Sequence, residues 1–82
     1  MNRNEVFERM LSICKDVFDD DSLVLTESTT AADVEGWDSL THLLLVNELE
    51  ENFDVSFTLD DVTESRNLGE LLTALMKQIG EK

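Results

Sequence analysis

Ser39 stands in EGWDSLTHLLLVNELEENF (35–53), directly after Asp38 and three residues before His42, the one histidine of the chain. A hydroxyl beside a carboxylate with an imidazole nearby invites a nucleophilic reading. The spacing argues against it. His42 belongs to the same helix as Ser39, and Ser39 lies in neither a G-x-S-x-G elbow nor an S-x-x-K motif, so nothing activates its oxygen. A serine at a helix start is better suited to accept a group than to attack one. The first N–H groups of a helix lack intrahelical partners and the dipole there is positive, so a phosphate ester on Ser39 would be stabilised by both.

The other chemistry-bearing residues read as structure. DDDSLVLTESTT lacks the glycine of an EF-hand loop and has Thr30 at its twelfth position, so it is no calcium loop. Asp19, Asp20, Asp21, Asp60 and Asp61 are solvated charge runs, and no metal site is expected. Cys14 falls in an apolar stripe, where it acts as a small hydrophobe. His42 is read as a half-buried histidine hydrogen-bonded to the preceding loop. Trp37 is read as the anchor of that loop.

Four helices position these residues. Val6, Phe7, Met10, Leu11, Cys14, Val17 and Phe18 recur at helical spacing after Asn2 or Asn4, and the Asp19–Asp21 run closes that first helix. The long stretch SLVLTESTTAADVEGW follows, which is either functional or contains a short helical turn. Asp38 caps a second helix over 39–53. Thr58 with Asp61 starts a short third helix through about Glu64. Asn67 with Glu70 starts a fourth, whose apolar face is Leu68, Leu71, Leu72, Leu75, Met76 and Ile79 and which Gly80 ends. DVSFTL is at most a short extended stretch. The expected fold is all-α: a small four-helix bundle, one domain over 1–82, with a long loop between helices 1 and 2.

Composition narrows the function classes. The formal charge is −13, and no lysine or arginine occurs between Lys15 and Arg66. Nucleic acids and anionic membranes would be repelled, whereas basic protein surfaces would be attracted. One cysteine rules out an internal disulfide, and neither a signal-peptide core nor a spanning segment is seen, so a cytoplasmic protein is expected. The strong charge favours a monomer.

The second helix has more leucine than one core stripe needs. His42, Leu45, Val46, Leu49 and Phe53 fall on one side at about 100° per residue. Leu40, Leu43 and Leu44 fall on the other, continued by Asn47, Glu50, Glu51 and Asp54. An apolar cluster rimmed by carboxylates reads as a docking patch for another protein, with burial under the folded-over long loop as the alternative.

GWDSL, the leucine-rich helix after it, ELEENF and NLGELLTALMKQI together resemble the acyl carrier protein family, over essentially the whole chain. The resemblance implies a non-enzymatic carrier. Ser39 would bear 4′-phosphopantetheine, transferred from coenzyme A by a phosphopantetheinyl transferase, with Asp38 as its acidic neighbour. The arm's thiol would hold acyl cargo as a thioester. Partner enzymes with basic docking surfaces would contact Leu40, Leu43, Leu44, Glu48, Glu50, Glu51 and Asp54. Cargo would fold back between helices 2 and 3, near Leu45, Val46, Leu49 and Val62. Fatty-acid carriers often have acids two and five residues after the serine, where this chain has Thr41 and Leu44, and it lacks the proline often found after helix 2. These departures point to a carrier dedicated to a lipid, polyketide or related pathway. An aminoacyl or peptidyl carrier of the same fold and an unmodified acidic interaction module are the alternatives.

Overall fold

The computed structural model describes residues 2–20 and 22–80. Helix α1 spans Arg3–Phe18, α2 Ser39–Phe53, α3 Leu59–Glu64 and α4 Leu68–Gly80. Among the described residues there is no strand, so DVSFTL joins α2 to α3 without pairing. The long loop contains one 3₁₀ turn at Ala31–Asp33.

Side-chain caps set the helix starts. Asn2 accepts from the Glu5 N–H, Asp38 from that of Thr41, Thr58 from that of Asp61 and Asn67 from that of Glu70. Each bond satisfies one of the N–H groups that a helix start leaves open. Helices α1 and α2 end alike. Asp19 and Asp54 take left-handed backbone (φ 52° and 55°), and the residues after them, Asp20 and Val55, donate to the carbonyls of Lys15 and Glu50. Asp21 lies outside the described residues, so the end of α1 rests on Asp19 and Asp20. The stop expected at Gly80 coincides with the last described residue.

The core takes Val6, Met10 and Cys14 from α1, Leu45, Leu49 and Phe53 from α2, and Leu68, Leu71, Leu72 and Leu75 from α4. Leu25 and Val34 of the long loop and Val55 complete it. Helix α1 packs on both α2 and α4, and α3 rests against α4. No α3 residue is fully buried. Burial pushes the Cys14 thiol up to about 12, which leaves it an unreactive hydrophobe.

The long loop is latched to the start of α4. Leu68 and Gly69 donate their backbone N–H groups to the carbonyls of Thr29 and Glu27, at 3.0 and 2.7 Å. Arg3 reaches across from α1 to the Glu27 carboxylate at 2.6 Å and to the Gly69 carbonyl at 3.3 Å. Gly69 is required by this approach, because a Cβ there would stand 2.9 Å from the Glu27 carbonyl oxygen. The latch fixes the loop's first half, and Trp37 fixes its end.

Candidate functional site

Asp38 and Thr41 build the turn that presents Ser39. The Asp38 carboxylate accepts from the Thr41 N–H at 3.0 Å, and the Asp38 N–H donates to the Thr41 hydroxyl at 2.8 Å. That hydroxyl donates in turn to the Gly36 carbonyl at 2.9 Å, which closes the turn. The Thr41 N–H holds the Asp38 carboxyl below the usual carboxylate range, so it is ionised at neutral pH. Thr41, two residues after Ser39, thus completes a reciprocal cap. Ser39 itself is exposed on the first turn of α2.

His42 is held by two partners. The Trp37 indole N–H donates to His42 Nδ1 at 3.2 Å, and His42 Nε2 lies 2.9 Å from the Val62 carbonyl oxygen. An indole N–H can only donate, so Nδ1 is the acceptor and Nε2 carries the proton given to Val62. The two rings stack with centroids 6.0 Å apart, and Phe18 of α1 meets the indole at 5.5 Å in a tilted arrangement. With both ring nitrogens engaged, the imidazole has no free position from which to deprotonate Ser39. Among the described residues, Ser39 is therefore left without a base.

Ser39 borders a cleft of about 550 Å³ between the end of the loop, α2 and α3. Its walls include Ala31, Trp37, His42, Leu43, Val62 and Ser65. Of the four residues expected to receive cargo, Val62 lines this cleft. Leu45 and Leu49 lie deeper, within the main core, and Val46 is buried outside that contiguous cluster. An open-ended slot with largely apolar walls beside an exposed hydroxyl fits a flexible phosphodiester-linked arm. The positive end of the α2 dipole suits its phosphate.

The side of α2 away from the core is open, with Leu43 at the border between it and the cleft. Leu40, Leu43 and Leu44 are 67%, 58% and 48% exposed, and the long loop leaves them uncovered. Glu48, Glu51 and Asp54 are exposed along the same helix and at its cap. Glu50 is turned inward, where its carboxylate accepts from the Phe57 N–H at 2.9 Å and anchors the segment between α2 and α3. Two further exposed apolar side chains, Val24 of the loop and Leu59 of α3, had no sequence signal beyond their hydropathy. Among the described residues, no set of three or more His, Cys, Asp or Glu is arranged to hold a metal ion. No described helix is long and apolar enough to cross a membrane.

Residues 8–75 match the family described as the phosphopantetheine attachment site. The fold superposes on the solution NMR structure of the holo acyl carrier protein from Geobacter metallireducens with a TM-score of 0.85. The two chains are 36% identical, over 90% of this chain and 85% of that one.

The chain belongs to the acyl carrier protein family.

Acyl carrier proteins are carriers and not enzymes, and 4′-phosphopantetheine is the prosthetic group of the family to which this chain belongs. That agrees with a serine left without a base. As an acyl carrier protein, the chain has phosphopantetheinyl transferase and acyl-handling enzymes as its implied class of partners. The likeness extends through all four helices.

Proposed function

We propose that residues 1–82 form one carrier domain, modified on Ser39 with 4′-phosphopantetheine from coenzyme A. The supporting observation is the exposure of the Ser39 hydroxyl on the first turn of α2, beside the cleft. When bound, the arm supplies the thiol that holds cargo as a thioester. Asp38 and Thr41 hold the serine at the helix start, and the α2 N-terminus favours the phosphodiester charge. Leu40, Leu43 and Leu44, with Glu48, Glu51 and Asp54 around them, form the face that docks basic partner enzymes; Glu50 supports it from within. The carrier works as a cytoplasmic monomer, without nucleic acid or membrane insertion, and Val46, Leu45, Leu49 and Val62 receive short or medium acyl chains.

Leu44 and Thr41 stand where fatty-acid carriers often have acids, which supports a pathway other than bulk fatty-acid synthesis. A lipid or polyketide pathway fits, and an aminoacyl cargo is the second reading. Loading by acyl ligases against loading by adenylating enzymes separates the two.

Intact-protein mass decides the attachment. Incubation with coenzyme A, Mg²⁺ and a promiscuous phosphopantetheinyl transferase adds one phosphopantetheine to the wild type and none to Ser39→Ala. A folded wild type that gains no mass removes this assignment and leaves an unmodified interaction module in its place.

A further inference from the structure

Ser39, His42, Val46 and Leu49 follow one another at helical spacing down one side of α2. A chain tethered at Ser39 that runs along this side toward Val46 must pass the His42 ring. In this structure that ring closes the way, because its Nε2–H is bonded across the cleft to the Val62 carbonyl. We infer that His42 is a gating residue: its bond to Val62 holds α3 against α2, and release of that bond admits acyl cargo to the buried side of α2. The inference rests on the assignment of Ser39 as the attachment point.

The bond is placed to be both specific and breakable. Trp37 makes it specific, since the indole N–H occupies Nδ1 and so directs the imidazole proton at Val62. The helix end makes it breakable. Helix α3 stops at Glu64, so the Val62 carbonyl is one of the last-turn acceptors without an intrahelical partner. Water can take the place of His42 there once the cleft opens.

Helix α3 has little else to hold it on this side. The capping bonds of Thr58 and Asp61 are internal, as are those from Thr63 to Leu59 and from Ser65 to Asp61. Its flanks are pinned instead. Phe57 before it is held by Glu50, and Leu68 and Gly69 after it are held by the loop. A short helix with fixed ends and no buried side chain can tilt outward as a unit. Leu45 and Leu49 meanwhile stay in the main core.

The test uses the pantetheinylated protein loaded with acetyl or hexanoyl thioester. Its readouts are the imidazole ¹⁵N and indole N–H resonances and the rate of thioester cleavage by hydroxylamine. Hexanoyl loading is expected to shift the His42 Nε2 and Trp37 Nε1 resonances, and acetyl loading to leave them as in the unloaded arm. His42→Ala should protect the hexanoyl thioester from hydroxylamine by on the order of tenfold, the equilibrium weight of one hydrogen bond. His42→Gln, whose amide N–H reaches the same carbonyl, should return the wild-type rate, and the acetyl form should cleave equally in all three. Unmoved resonances on hexanoyl loading, or equal hexanoyl cleavage in wild type and His42→Ala, would overturn the gate while leaving the carrier assignment standing. Failure of the wild type to gain phosphopantetheine would remove both. If His42→Ala does not fold, the wild-type resonances decide.

Discussion

Helices α3 and α4 are neighbours in the chain with opposite relations to the core. Helix α4 buries Leu68, Leu71, Leu72 and Leu75, whereas α3 buries no residue completely and leaves Leu59 76% exposed. The difference begins in sequence. Helix α4 places an apolar residue at each core position of a 3.6-residue repeat, while LDDVTE is too short and too acidic to make a stripe. Helix α3 therefore depends on caps, on its contact with α4 and on one histidine. The molecule is a three-helix core of α1, α2 and α4 carrying a lightly held fourth element beside Ser39.

The largest effect expected from breaking this contrast is in α4. Leu72 is fully buried, and Leu72→Ala should cost about 2–5 kcal/mol in chemical denaturation. That is a large share of the roughly 4–12 kcal/mol available to a chain of this length. A loss below about 1 kcal/mol would mean that α4 is no more central than α3.

The latch between α4 and the loop comes next. Gly69→Ala would force its Cβ against the Glu27 carbonyl. Overpacking of about 1–3 kcal/mol should outweigh the helix-propensity gain of up to about 1 kcal/mol, leaving a net loss. A more stable variant would show that the loop yields freely.

A smaller effect comes from the Arg3 contact. Its hydrogen bonds hold the Glu27 carboxyl below the ordinary carboxylate range. A depressed folded value stabilises the protein above the unfolded value, and that contribution disappears as pH falls through the folded one. Wild type should therefore exceed Glu27→Gln in stability at neutral pH, with the two curves converging on the acid side. Parallel curves across that range would place Arg3 elsewhere in solution. The smallest change is expected on the outer side of α3: Leu59→Ser should stay within about 0.5 kcal/mol of wild type. A loss as large as that of Leu72→Ala would erase the distinction between the two helices.

The same contrast explains what could be read from sequence. Helix boundaries were legible because caps and apolar spacing are local: Asp38 with Ser39, Thr58 with Asp61 and Asn67 with Glu70 each lie within one turn. The division of α2 into a buried and an exposed leucine side also followed from spacing alone. The tertiary bonds did not. Arg3 meets Glu27 across 24 residues, His42 meets a carbonyl 20 residues away, and Glu50 binds a backbone N–H. A bond to a main-chain atom places no demand on residue type at its far end, so it leaves no pattern to find. His42 was read as bonded to the loop, and Trp37 is that partner; its bond to α3 had no signal. The depth of Leu45 and Leu49 behind the cleft was likewise invisible, because one apolar stripe serves both core and cleft.

The endings of α1 and α2 have a practical consequence for engineering. Asp19 and Asp54 hold left-handed backbone and put a carboxylate at the negative end of a helix dipole. Asparagine accepts the same backbone without the charge. Asp19→Asn is thus a route to a more heat-resistant scaffold for carrying synthetic cargo, one that leaves the residues around Ser39 and the docking face in their native form.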